Sequence, residues 1–173
     1  QFVGMDEWKF AMKETELLVK YLQKHTEVTD LLITGGDPMI MKNKIFATYI
    51  DALIEADIPN LQTIRIGTKA LGYWPYKFLT EDDAEDTLRT FEKIVKSGKN
   101  LAIMAHFNHP AELSTDAVKQ AIAKVRATGA QIRTQSPLMK NINADADIWA
   151  TMWRQQVNLN CIPYYMFVAR DTG

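Results

Sequence analysis

The sequence predicts an α/β fold built on a parallel sheet, and two observations carry that expectation. Amphipathic helical stretches alternate with short β-branched apolar runs along the whole chain. No two of those runs are joined by the tight Gly- or Asn-rich turn of a hairpin, so successive strands connect through helices and lie parallel. A third observation, the polar residues that follow every strand, chooses between kinds of parallel sheet.

Each element has its own signal. Between Asp6 and Lys24, the residues Trp8, Ala11, Met12, Val19 and Leu22 share one helical face. A strand at 29–34 (TDLLIT) follows, then a helix over about 44–55 and a strand at 61–67 (LQTIRIG). Thr80 reads as the N-cap of a helix that turns Ala84, Leu88, Phe91 and Val95 inward. That helix carries acidic residues in its first turn and ends at Gly98. After a strand at 100–107, Ser114 reads as the cap of a helix with Val118, Ala121, Ile122 and Val125 on one face, closed by Gly129. A strand at 130–135, a helix over about 145–159 and a strand at 161–168 complete the series. Trp149, Met152 and Trp153 fall at helical spacing and read as core, as do Tyr164 and Tyr165 on the last strand.

The strand exits carry Gly35, Gly36 and Asp37; Arg65 and Lys69; His106, Asn108 and His109; Gln135 and Ser136; Arg170 and Asp171. An open, doubly wound sheet would spread these along one edge, with only its switch point lining a crevice. A barrel gathers them on one rim, where barrel folds keep their sites. The list favours a barrel, complete or partial, in one domain covering 1–173.

Composition narrows the function. At 47% hydrophobic, 24% charged and net charge −1, the chain is an ordinary globular one without the basic face a nucleic acid or membrane surface needs. No apolar run approaches the ~20 residues of a membrane span. Cys161 is the sole cysteine, which excludes an internal disulfide and suggests a reducing, cytoplasmic setting. It equally excludes a cysteine-only metal or cluster site built by this chain alone. The chain opens QFVGMDEW and closes ARDTG straight after a strand-like run, so both ends read as cut from a longer protein.

Several motifs carry chemistry. In Gly35-Gly36-Asp37 the glycines let a ligand approach the backbone, and Asp37 suits an ammonium group. Because Asp37 sits on a loop, its loss is expected to weaken ligand binding more than folding. Arg65 lies inside a strand whose alternation can aim it into the barrel. His106 and His109 could ligate a metal, but no third ligand has fitting spacing, and polar contacts with Asn108 to a cofactor or substrate suit them better. Gln135 and Ser136 suit a neutral or zwitterionic ligand. No Ser–His–Asp set and no phosphate-cradling glycine motif is present.

Taken in order, LLITGGDPMI (31–40), IPNLQTIRIGTK (58–69), HFNHPAEL (106–113), QIRTQSPLMKNIN (131–143) and PYYMFVARDTG (163–173) resemble the lysine 2,3-aminomutase family of radical S-adenosylmethionine enzymes. The resemblance implies a partial (β/α)6 TIM-like barrel, with this chain holding strands two to six. It implies a [4Fe–4S] cluster on a C-x-x-x-C-x-x-C loop upstream of Gln1, its remaining iron bound by the amine and carboxylate of S-adenosylmethionine. Gly35, Gly36 and Asp37 match the motif that receives the methionine amine; Arg65, His106, Asn108, Gln135 and Ser136 would line the cofactor pocket. Lys69, Tyr165 and Asp171 would face an amino-acid-like substrate, from which a 5′-deoxyadenosyl radical would abstract hydrogen ahead of a 1,2-amino migration. Pyridoxal 5′-phosphate carries the amine in well-known members, on a lysine expected beyond Gly173.

Two departures point to a subgroup with a substrate of its own. The family's IGTR-x-P is here IGTKALGYWPYKF, with Lys69 for arginine, and its QSVLLRGVN is here QSPLMKNIN. Two other classes compete with this reading. One is a non-catalytic ligand-binding barrel; the other is a metal-free lyase or aldolase with Lys69 or Lys140 as Schiff base. A missing first strand would leave an exposed edge beside 29–34, so a homo-oligomer is a further expectation.

Overall fold

The computed structural model describes residues 15–168; Asp171 and the expected helical positions Trp8, Ala11 and Met12 lie outside them. Five strands form one sheet: β1 (Asp30–Ile33), β2 (Thr63–Thr68), β3 (Asn100–His106), β4 (Gln131–Leu138) and β5 (Ile162–Val168). They pair in chain order, and every pairing is parallel. A doubly wound sheet reverses its strand order at a switch point. This one never does, so it winds in one sense as a barrel does, and among the described residues β1 and β5 are its edges.

The α-helices among the described residues are α1 (Thr15–Lys24), α2 (Asn43–Glu55), α3 (Ala70–Tyr73), α4 (Ala84–Lys96), α5 (Asp116–Ala127) and α6 (Ala146–Asn158). Strand alternation gives the sheet two unlike faces. Ile64, Ile66, Leu101, Ile103 and Ile132, none more than 2% exposed, pack with Phe46, Ile50, Phe91, Ile122 and Met152 from the helices. The opposite face offers Arg65, Gly67, Met104 and Gln135 to an open cleft. Burial of the first face supplies the hydrophobic drive, at roughly 25 cal/mol per Å² of apolar area. No helix among the described residues is long and apolar enough to cross a membrane.

Two expected caps move by one turn or less, each for a local reason. Thr80 still belongs to the preceding turn, its N–H donating to the Tyr76 carbonyl at 2.9 Å, and α4 starts after Asp83. Ser114 spends its hydroxyl on the Ala111 carbonyl at 2.8 Å, so Thr115 caps α5 by accepting from the Val118 N–H at 3.3 Å. Gly98 and Gly129 follow the ends of α4 and α5 at φ +83° and +90°, as expected of residues just past a helix. Trp149 is core and donates from Nε1 to the Asn143 carbonyl at 2.6 Å. Trp153 is not; it stays 40% exposed, edge-on to Trp149.

The segment between β2 and α4 folds over a buried ion pair. Lys77, 2% exposed, donates to both Asp83 oxygens at 2.9 and 3.0 Å and to the Met41 carbonyl at 3.2 Å. Asp83 also accepts from the Asn43 N–H at 2.6 Å, which joins the starts of α2 and α4. Burial alone would raise the Asp83 carboxyl, but that N–H and the Lys77 ammonium outweigh it and hold it below the usual carboxylate range.

Candidate functional site

The exits of β1 to β4 converge on a cavity of about 330 Å³ lined by Thr34, Gly36, Asp37, Gly67, Thr68, Lys69, Tyr73, His106 and Gln135. A second hollow of about 250 Å³ adjoins it along the open face of the sheet, lined by Leu32, Thr34, Arg65, Gly67, Met104, Gln135, Tyr164 and Tyr165. Thr34, Gly67 and Gln135 border both, so the two form one cleft. Strand register explains the gathering. His106 pairs with Gln135, and Gln135 with Tyr165, so three adjacent strands place these side chains in a row.

The double-glycine turn closes one wall. Gly35 and Gly36 have φ of +95° and +57°, and a Cβ at either would meet nothing within 4 Å. Backbone handedness, not crowding by the protein, therefore calls for glycine here. Among the described residues, no hydrogen bond uses the Gly35 or Gly36 carbonyl.

Asp37 does something sequence reasoning did not foresee. Its Oδ1 accepts from the Thr68 hydroxyl at 2.7 Å and the Met39 N–H at 3.0 Å, while Oδ2 accepts from the Lys69 N–H at 2.7 Å. Thr68 in turn accepts from the Ala70 N–H at 2.9 Å. One carboxylate thus ties the exit of β1 to that of β2 and starts α3. Asp37 therefore has a structural part beside the ligand-binding one expected of it.

Across the cavity, Lys69 Nζ pairs with Glu112 Oε1 at 2.7 Å. Glu112 lies in the 3-10 turn Pro110–Leu113, where its Oε2 accepts from the Asn108 N–H at 2.5 Å and, longer, from the His109 N–H at 3.4 Å. His106 Nε2 and Asn108 Oδ1 are 2.6 Å apart. Burial, and then the Lys69 charge, push the His106 imidazole below its usual range; Asn108 and Glu112 oppose this without overcoming it. The neutral imidazole is therefore the favoured form of His106. His109 caps its own turn, accepting at Nδ1 from the Ala111 N–H at 3.2 Å. Burial and the Asp37 carboxylate raise the Tyr73 phenol, which keeps it protonated as a donor at the cavity mouth.

Of the residues singled out in sequence, Gly36, Asp37, Lys69, His106 and Gln135 meet in the larger cavity, with Gly35 in its turn and Asn108 behind His106. Arg65 and Tyr165 line the adjoining hollow, and Arg65 Nε donates to Asp30 Oδ1 at 2.7 Å. Tyr164 and Tyr165 are 53% and 57% exposed instead of core, because β5 pairs on one side only among the described residues and is exposed along most of its length. Ser136 does not join the site. It is 2% exposed on the helix-covered face, with its hydroxyl 3.5 Å from Asn143 Nδ2, because Gln135 beside it takes the cleft-facing position. Lys140 stands exposed in the turn after β4, without the burial a Schiff-base lysine needs.

Sequence reasoning missed Thr68, Tyr73 and Glu112. Only Glu112 had a legible signal, an acid three residues after the turn-opening His109.

The class defined by this fold and cleft is a singly wound parallel α/β protein with its candidate site at the carboxyl ends of the strands. Comparison with known proteins narrows it. The chain is 34% identical over 155 residues to an Aquifex aeolicus protein assigned provisionally as an L-lysine 2,3-aminomutase, covering 90% of this chain and 40% of that one. It is 29% identical to the L-lysine 2,3-aminomutase of Haemophilus influenzae, covering 89% of this chain and 42% of the relative. It is 27% identical to the glutamate 2,3-aminomutase of Clostridioides difficile, covering 88% and 33%. The chain is lysine 2,3-aminomutase-like, and it spans about a third to two fifths of the length of these relatives. No family profile matches it. Among solved structures, an intracellular xylanase of Thermoanaerobacterium saccharolyticum aligns at TM-score 0.43 and 13% identity, over 90% of this chain and 56% of that one.

Proposed function

We propose that the chain forms part of the core of an aminomutase-like radical S-adenosylmethionine enzyme acting on an amino-acid-like substrate. The observation that carries this reading is the double-glycine turn. It faces a cavity with open space at both α-carbons and two carbonyls free of partners among the described residues, in a chain whose relatives are aminomutases.

That turn fits the methionine end of S-adenosylmethionine. The Gly35 and Gly36 carbonyls would accept from its ammonium, while Asp37 orders the turn and adds negative charge behind it. His106 and Gln135 would lie along the rest of the cofactor, and Arg65 would reach the adjoining hollow. Bound together with a reduced iron–sulfur cluster, the cofactor supplies hydrogen-atom abstraction from an unactivated carbon. The chain's own part is orientation and exclusion of water. Lys69 would hold a substrate carboxylate, neutral His106 and Tyr73 would contribute hydrogen bonds, and Tyr165 would cover an apolar flank.

Cluster ligation does not fit the residues of this chain. Cys161, its sole cysteine, is buried at the opposite end of the sheet, where burial pushes its thiol up to about 12. The cluster would have to come from cysteines elsewhere in a full-length protein.

The test is S-adenosylmethionine binding to the full-length, cluster-loaded protein by anaerobic calorimetry. Gly36→Val places a branched side chain in the cavity and is expected to weaken binding at least tenfold. Unchanged binding would overturn the reading and leave a barrel that binds some other ligand.

A further inference from the structure

We propose that Glu112 is a positioning residue that sets Lys69 and His106 together against the ligand in the cleft. This inference rests on the cleft being a ligand site, as proposed above, and adds a residue that touches no ligand itself.

The geometry is specific. Glu112 bridges the gap between the exits of β2 and β3: Oε1 takes the Lys69 ammonium at 2.7 Å and Oε2 the Asn108 N–H at 2.5 Å. The second bond fixes the backbone from which Asn108 reaches His106 Nε2 at 2.6 Å. A lysine has four side-chain torsions and loses considerable rotamer freedom when held. Without a carboxylate partner it would sweep the cavity instead of presenting one charge at one place. The side chains of Lys69 and Glu112 are 31% and 24% exposed, so the pair is neither freely solvated nor sealed, and a ligand can reach it. The turn that carries Glu112 is itself pinned: His109 caps it, Leu113 is buried beneath it and α6 packs against it. Glu112 is therefore held from behind while its carboxylate points at the site.

Charge bears on the same point. The ionisable groups around His106 are Lys69 and Glu112, with Asp37 and Tyr73 on the other cavity wall. Glu112 favours the imidazolium and Lys69 opposes it. Neutralising Glu112 leaves the opposing charge uncompensated, so the His106 midpoint moves to lower pH.

The experiment compares Glu112→Gln, Lys69→Ala and the double variant in the full-length protein. Gln keeps the length and an oxygen for the Asn108 N–H, which preserves the turn. In the protein without cofactor, carbon-13 histidine NMR should show the His106 titration displaced to lower pH in Glu112→Gln relative to wild type. In the loaded enzyme, with L-lysine and L-glutamate as probes, Glu112→Gln should raise KM five- to twentyfold for the probe that is turned over. Adding it to Lys69→Ala should cost no more than twofold further, since both remove one unit. An unmoved His106 titration, unchanged or tighter probe binding, or fully additive losses would each overturn the positioning role. If instead Lys69→Ala and Gly36→Val both leave all binding intact, the site reading has failed, and the NMR shift still decides whether Glu112 couples the two strands.

Discussion

Two lysines eight residues apart on the segment after β2 both hold a carboxylate, and they do different work. Lys77 is 2% exposed and meets Asp83, the Met41 carbonyl and the Trp74 ring, whose centroid is 5.9 Å away. Every direction its ammonium can donate is taken. Lys69 is 31% exposed, has one carboxylate partner, and keeps the rest of its ammonium toward the cavity. Complete satisfaction marks a structural pair, whose loss strands a buried charge. Partial satisfaction at a cavity marks a group with capacity left for a ligand.

The largest expected effect breaks the buried pair. Lys77→Ala leaves Asp83 without its cation and should destabilise the protein by about 3–5 kcal/mol in urea unfolding. A loss under about 1 kcal/mol would erase the distinction between the two lysines. Asp37→Ala comes next. Three accepted hydrogen bonds disappear, and roughly 2–3 kcal/mol should be lost in the same measurement, since bonds to a charged acceptor are the stronger kind. Gly36→Ala should cost about 1–2 kcal/mol from left-handed strain alone, because its Cβ meets no neighbour. Lys69→Met should be the mildest for folding, below about 1 kcal/mol, while ligand binding suffers more than in any of the others save Gly36→Val.

Acid should separate the regions as well. His106 has a depressed midpoint, so the unfolded chain binds its proton first, and stability falls as pH drops through the ordinary histidine range near 6.5 and below. Asp83 is also depressed, so its contribution persists to lower pH and is lost only as pH falls below the ordinary carboxylate range. A pH series of thermal melts should show both stages in wild type. In Lys77→Ala the second should shrink, and in His106→Gln the first should vanish.

The strands and helices were legible because apolar periodicity reports which face is buried. Val118, Ala121, Ile122 and Val125 read directly as the inner face of α5. The convergence of Gly36, Lys69, His106 and Gln135 was also legible, since parallel strands bring their exits to one end. What escaped was the partner of each polar group. That Asp37 faces Thr68 and that Glu112 reaches Lys69 depends on residues 31 and 43 positions away, which local pattern does not encode. Ser136 and Tyr164 escaped for a related reason. Polarity does not say which face a strand residue takes: alternation on β4 sends Ser136 under the helices, and β5 at the sheet edge leaves Tyr164 exposed.

The unbroken order of the sheet also bears on how the chain comes into being. Among the described residues, each strand pairs only with the strand made before it and the one made after it. A ribosome extruding this chain therefore never releases a strand whose earlier neighbour has yet to be synthesised. The sheet can grow from β1 onward, one helix and strand at a time, with each new edge covered by the next arrival.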